Sequence, residues 1–172
     1  MKLIESEVRD VISGNNVTII RPANVYECEL KDDVFIGPFV EIQKGCLIGS
    51  GSRVQSHTFI CENVTLGMNC FIGHNVTFAN DLFRSGAPDP SPNNWITISL
   101  GDSVTVGSGA TILSPYICSG SVIGAGSVVV KSIEVNSGHR PAAPDGRRRL
   151  ATRLYGTLFV AFMPLCGITK EI

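Results

Sequence analysis

Large apolar residues recur every six positions through the middle of the chain, at Ile36, Ile42, Ile48, Val54, Ile60, Leu66, Ile72 and Phe78. Two residues before each stands a smaller or β-branched side chain: Val34, Val40, Cys46, Ser52, Thr58, Val64, Cys70 and Val76. Glycine follows the six-fold position at Gly37, Gly49, Gly67 and Gly73. Helical faces repeat at three and four residues and simple strands at two. A period of six therefore predicts short strands separated by tight corners, each strand turning one apolar side chain inward.

Such a run reads as a hexapeptide β-helix, with three repeats making one triangular coil of about 18 residues. Sorted by that length, the apolar positions fall into three columns. The first holds Ile36, Val54, Ile72, Val106 and Ile123; the second Ile42, Ile60, Phe78, Ile112 and Val129; the third Leu30, Ile48, Leu66, Leu100 and Ile117. Successive coils would stack at strand spacing, about 4.8 Å. Between Phe78 and Ile98 the register stops, and Ala79 to Pro92 holds three prolines, which cannot continue a central ladder. The columns agree on both sides, so the segment at about 79–97 is an excursion from one solenoid. Residues 1–33 read as a degraded first repeat, with Leu30 in register and the earlier spacing slipped by one. Atypical terminal repeats are the norm in solenoids. A five-residue step from Ile112 to Ile117 is marked by Ser114-Pro115. Asn63, Asn69, Asn75 and Asp102 are expected at corners, where Asn and Asp tolerate left-handed backbone.

After Ile133 the repeat is gone. Residues 1–133 form the expected β-helix domain and 134–172 a C-terminal extension or cap. Arg147 to Leu154 suggests a short basic helix. Tyr155 to Ile168 is an apolar helix or strand packed on a coil end, or alternatively a surface anchor or partner contact. Its 14 residues, with Pro164 among them, are too few to span a bilayer. The expected fold is all-β: a left-handed parallel β-helix with one extruded loop and an irregular or helical tail.

Composition narrows the partners. At 17% charged and 7% aromatic, with 18 glycines, the chain suits a thin aliphatic interior. A net charge of −1 makes no case for nucleic acid. Met1 to Asp10 carries alternating charges and does not read as a secretory signal. The six cysteines include no C-x-x-C pair, and they read as free thiols of a cytoplasmic protein.

Column arithmetic places His57 and His74 at one outer corner on adjacent coils. Along the same edge follow Gly107-Ser108-Gly109 and Gly124-Ala125-Gly126, read as an open track of backbone amides. The loop starts at Asn80-Asp81 on the next corner. Each of these polar residues also has a plain structural reading: a histidine bonded to the next coil, Asn80 as a turn former, Asp81 as a loop cap.

Several segments together resemble the left-handed β-helix acyltransferases of the hexapeptide-repeat family. They are Phe39–Lys44, Ser56–Glu62, Gly73–Phe78, Asn80-Asp81-Leu82-Phe83, Gly107–Leu113 and Ile123–Val129. The similarity spans roughly residues 15–133 and is narrowest to the branch that N-acetylates nucleotide-linked amino sugars for surface polysaccharides. It implies a homotrimer with sites in the clefts between solenoids and acetyl-CoA as co-substrate, without a required metal. It further implies catalytic roles for His57, His74 and Asp81. Asn80, Asp81, Phe83 and Arg84 would bind the sugar; Gly107, Ser108, Gly109, Ala125, Gly126 and Lys131 would line the CoA track. The tail departs from the family pattern, since Gly138-His139-Arg140-Pro141 matches its usual capping turn only loosely. Arg147, Arg148 and Arg149 are candidate partners for CoA phosphates.

The chemistry follows from an absence in the loop. O-acetylating relatives usually place a histidine base there, whereas this chain reads Phe78-Ala79-Asn80-Asp81-Leu82. A hydroxyl nucleophile gains about 10²–10⁴ from a general base. An amine of pKa roughly 8 is already about a tenth neutral at pH 7, a deficit of about 1.4 kcal/mol. Orientation beside the thioester is then the main requirement. Asp81 would hold the ammonium, Asn80 the sugar, and His74 or His57 would take the proton, with edge amides polarising the thioester. The alternatives are a non-catalytic scaffold or binding module, a sugar O-acetyltransferase and a maleate-type serine acyltransferase. A metal-dependent hydratase resembling γ-class carbonic anhydrases needs three histidines, two of them five apart. Residue 79 is Ala and the remaining histidine, His139, lies in the tail, so a catalytic zinc site lacks its ligands.

Overall fold

The computed structural model describes residues 8–134 and the backbone of two tail strands, Arg149–Leu154 and Thr157–Phe162. It is a left-handed parallel β-helix of about seven turns. Its three faces are parallel ladders, and the three apolar columns are their inward positions. Ile36 pairs with Val54 and Val54 with Ile72; Ile42 pairs with Ile60; Leu30 pairs with Ile48 and Ile48 with Leu66. The columns continue past the loop, where Leu66 pairs with Leu100, Ile72 with Val106 and Phe78 with Ile112. The faces are named here after Leu30, Ile36 and Ile42, in chain order around a coil.

Every inward residue of the three columns from Leu30 to Val129 is buried. The smaller residues two positions before Ile36 to Phe78 are buried as well, and the two hydroxyls among them, Ser52 and Thr58, are satisfied. Ser52 Oγ donates to the Gly67 carbonyl (2.8 Å) and accepts the Cys70 amide (2.9 Å). Thr58 Oγ1 does the same with the Gly73 carbonyl and Val76 amide, at 2.9 and 3.3 Å. Each buried hydroxyl thus links two coils instead of weakening the core. Glycine after the inward position has a steric cause. A Cβ on Gly73 would stand 2.6 Å from the Ser108 amide nitrogen, and one on Gly107 would stand 2.4 Å from that of Ala125.

All variation in coil length falls on one corner. From the Leu30 face to the Ile36 face, and on to the Ile42 face, each step between inward residues is six. Only the return from the Ile42 face to the Leu30 face varies. It is shortened between Val8 and Ser13, Val25 and Leu30, Ile112 and Ile117, and Val129 and Ile133, and between Phe78 and Leu100 it carries the loop. The one-residue slip near the N-terminus is therefore a shortened corner in otherwise regular coils.

Two expectations are corrected. At the corner holding Asp102, the left-handed residue is Ser103 (φ 56°). Asp102 occupies the preceding position, and its carboxylate accepts the Met68 amide at 2.8 Å. Arg149–Leu154 is a strand, not a basic helix. It pairs in parallel with Ser121–Ile123 and antiparallel with Thr157–Phe162. A helix there would leave the last edge of the Ile36 face unpaired, and the Thr, Leu, Phe and Val of 157–162 favour strands. Arg147, Arg148, His139 and the 138–141 turn lie outside the described residues.

Five cysteines, Cys28, Cys46, Cys61, Cys70 and Cys118, are free and buried. Burial pushes the thiols of Cys28 and Cys61 up to about 12 and that of Cys46 to about 11. The fold favours their protonated form. This stabilisation is complete below the unfolded-state thiol pKa of about 8.5 and is lost as pH rises from there toward the folded values. The denaturation midpoint should accordingly fall above about pH 8.5, with a thiol reagent labelling these cysteines at pH 8 only after unfolding. Truncation of Ile60, 0% exposed, to alanine should cost about 2–5 kcal/mol, read as a lower midpoint in urea.

Candidate functional site

The corner between the Ile36 and Ile42 faces carries a second ladder. In successive coils its two outer positions are Arg21-Pro22, Pro38-Phe39, Ser56-His57, His74-Asn75, Ser108-Gly109 and Ala125-Gly126. From His57 onward the amide of the second residue donates to the first residue of the coil before, whereas Phe39 donates to the Pro22 carbonyl. His57 donates to the Pro38 carbonyl at 3.2 Å, Asn75 to Ser56 at 3.0 Å, Gly109 to His74 at 2.8 Å and Gly126 to Ser108 at 2.9 Å. The second position is left-handed from the second of these coils onward, at Phe39, His57, Asn75, Gly109 and Gly126. The amides of Gly109 and Gly126 therefore bind coil to coil and do not form the open track expected of them. What the edge offers beyond His74 is space above Ser108, Gly109, Ala125 and Gly126.

His57 and His74 share this corner on adjacent coils, as the columns predict, but one position out of register. His57 stacks its ring on Phe39, with centroids 4.8 Å apart and planes at 27°. His74 lies above Ser56, whose Oγ meets His74 Nδ1 at 2.9 Å. Its backbone amide donates to Ser108 Oγ at 3.1 Å. The ring is thus held by Nδ1, while Nε2 has no partner among the described residues and the side chain is exposed. Column arithmetic carries a signal for both newly found neighbours, because Ser56 and Phe39 stand one 18-residue coil before His74 and His57.

The loop leaves from the other end of the Ile42 face. Asn80 is almost buried; its side-chain amide donates to the Glu62 carbonyl at 3.4 Å and its own carbonyl accepts the Ile96 amide at 2.9 Å. It closes the loop's neck. Asp81 uses one carboxylate oxygen for the Phe83 amide (2.9 Å) and the other for the Asp89 amide (2.8 Å). Asp89 in turn receives Ser91 N–H and Asn94 Nδ2, and its carbonyl accepts Trp95 Nε1. This bonding holds Phe83, left-handed at φ 48° and exposed, and Arg84, also exposed, at the loop's outer end. Lys131 follows strand Val128–Val129 of the Ile42 face, so it lies on the loop side and not beside Gly107–Gly109. Within one chain, then, His57, His74 and the small-residue edge share one corner, while Asn80, Asp81, Phe83, Arg84 and Lys131 belong to the next.

Elsewhere, a cavity of about 430 Å³ opens over the first coils, lined by Asp10, Glu27, Glu29 and the apolar Ile12 and Leu47. Its acidic mouth opposes phosphate-bearing ligands. No group of three metal-ligating side chains gathers among the described residues, and no helix there is long and apolar enough to cross a membrane.

The family profile described as bacterial transferase hexapeptide (six repeats) matches residues 27–62, the stretch where the period is strictest. Residues 27–62 carry the hexapeptide repeat that this profile describes. The chain is 32% identical over 112 residues to the bifunctional protein GlmU of Francisella philomiragia, covering 64% of the chain and 22% of that relative. GlmU of Francisella tularensis gives the same figures. The chain thus matches about a fifth of the length of these curated relatives. In structure it is similar to the polySia specific acetyltransferase NeuO, at TM-score 0.57 and 18% identity, covering 96% of this chain and 88% of that one. That likeness is one of fold.

Replacing Asp81 by alanine should free both amides it holds. Hydrogen exchange at Phe83 and Asp89 is expected to accelerate about tenfold or more, matching loss of a hydrogen bond worth about 1.5–3 kcal/mol. Exchange in the Ile42 column should not change.

Proposed function

We propose that the protein transfers an acetyl group from acetyl-CoA to the amine of a nucleotide-linked amino sugar, in the assembly of a surface polysaccharide in the cytoplasm. The observation that carries this reading is His74: its ring is fixed through Nδ1 by Ser56, and Nε2 faces outward beside an edge of small residues. Support for a CoA-type transferase comes from the hexapeptide profile and from this edge, where Ser108, Gly109, Ala125 and Gly126 leave room for an extended cofactor arm.

The active assembly is a homotrimer, with the histidine corner of one subunit facing the loop corner of the next. Asp81 keeps lone pairs beyond the two that its backbone partners occupy, and it receives the acceptor's ammonium. Asn80 maintains the loop neck that places Asp81. Phe83 and Arg84 line the acceptor's side. The uncharged amine attacks the thioester carbonyl, its proton passes to His74 Nε2, and the thiolate leaves. Imidazolium formation keeps Nδ1–H on Ser56 Oγ, so the ring does not reorient during the step. Lys131, on the loop corner of the neighbouring subunit, is a candidate partner for a CoA phosphate.

A hydroxyl acceptor is the second reading. The Ser56–His74 contact favours it, since an alcohol needs the base that this pair would supply. Acetyl transfer to a panel of nucleotide-linked amino and hydroxy sugars decides between them. Turnover of amino sugars is expected, and turnover of hydroxy sugars alone would overturn the N-acetyl reading. His74→Ala should lower kcat by about 10²-fold or more while leaving KM for acetyl-CoA within a few-fold. Sedimentation should show three copies.

A further inference from the structure

On the histidine corner the left-handed position is filled by Asn75, Gly109 and Gly126 in the later coils, residues that adopt this backbone at little cost. In the earlier coils it is filled by Phe39 (φ 59°) and His57 (φ 63°). Histidine tolerates the conformation, whereas for a bulky ring such as Phe it is a genuine outlier. Phe39 is also 57% exposed, so its ring does not offset the strain by filling the core. Its contact is the His57 ring, stacked at 4.8 Å. One coil further toward the N-terminus the corner presents Arg21, which is exposed and makes no ion pair or hydrogen bond among the described residues. Strained, exposed aromatic backbone positions cluster where a ligand is clamped.

We infer that Phe39, His57 and Arg21 form a strip for a nucleoside diphosphate, with the base stacked on the exposed Phe39 ring and the phosphates met by the Arg21 guanidinium. Aromatic faces hold any base without reading its edge, and arginine pairs with phosphate oxygens through its planar fork. Phe39 stands two coils from His74, roughly 10 Å at strand spacing. The small-residue edge runs from His74 in the opposite direction. On the proposed acetyl-transfer reading, on which this placement rests, the strip therefore receives the nucleotide of the acceptor, and the far edge receives CoA.

The test is equilibrium binding to the full chain, which needs no turnover. UDP and TDP probe the acceptor's nucleotide, 3′,5′-ADP probes the adenine end of CoA, and inorganic pyrophosphate probes the phosphate contact alone. Phe39→Gly is expected to weaken UDP and TDP at least about tenfold, to leave 3′,5′-ADP and pyrophosphate unchanged, and to raise Tm by relieving the left-handed strain. Arg21→Gln should weaken UDP, TDP and pyrophosphate alike. The inference is overturned if wild type binds neither UDP nor TDP, or if Phe39→Gly binds them as tightly as wild type. A lower Tm in that variant, or loss of 3′,5′-ADP in place of UDP and TDP, overturns it equally. Binding that behaves as expected without amino-sugar turnover keeps the strip and removes the N-acetyl reading. Amino-sugar turnover with KM unchanged by Phe39→Gly removes the strip and keeps that reading.

Discussion

Coils stacked in register at strand spacing are the constraint behind nearly every feature of this molecule. Each residue lies directly over its counterpart one turn earlier, so a side chain is tolerated only if the column accepts it. Inside, that demand selects aliphatics and a few hydroxyls able to bridge two coils, as Ser52 and Thr58 do. At the corners it removes Cβ atoms where the next backbone comes too near, at Gly73 and Gly107. On the surface it turns distant positions into neighbours, which is how Ser56 reaches His74.

The same constraint explains where variation is permitted. Two corners keep six residues per step through all the described coils. The third corner is shortened in four of the described coils and gains the loop once. An insertion there disturbs no stacked core residue, provided its two ends meet. Asn80 meets that condition by joining Glu62 below and Ile96 across the neck. Asp81 and Asp89 then organise the loop from within. The acidic residues of this segment thus have structural duties first, and whatever Asp81 does for an acceptor it does from a position already fixed by two amides.

The histidine corner shows a graded composition along the solenoid axis: a cation, an aromatic ring, two imidazoles, then small residues. From Phe39 onward all are displayed by one repeated backbone geometry, so the sequence alone changes what the edge offers from coil to coil. Rigidity of the ladder makes such a display precise enough for chemistry. A flexible loop carrying the same residues would hold neither the Ser56–His74 contact nor the Phe39–His57 stack.

The spacing of apolar residues by itself determined the winding, the three columns, the single extruded loop and the shared corner of His57 and His74, because stacking turns sequence distance into spatial distance almost without ambiguity. The tertiary structure decided what depends on directions and partners. His57 faces Phe39 and not His74, since a one-position offset in the columns redirects the whole ring. The amides of Gly109 and Gly126 are taken by carbonyls of the preceding coil, and Lys131 falls on the loop side. The segment Arg149–Leu154 became a strand because an unpaired ladder edge lay beside it, a long-range demand that no local pattern encodes.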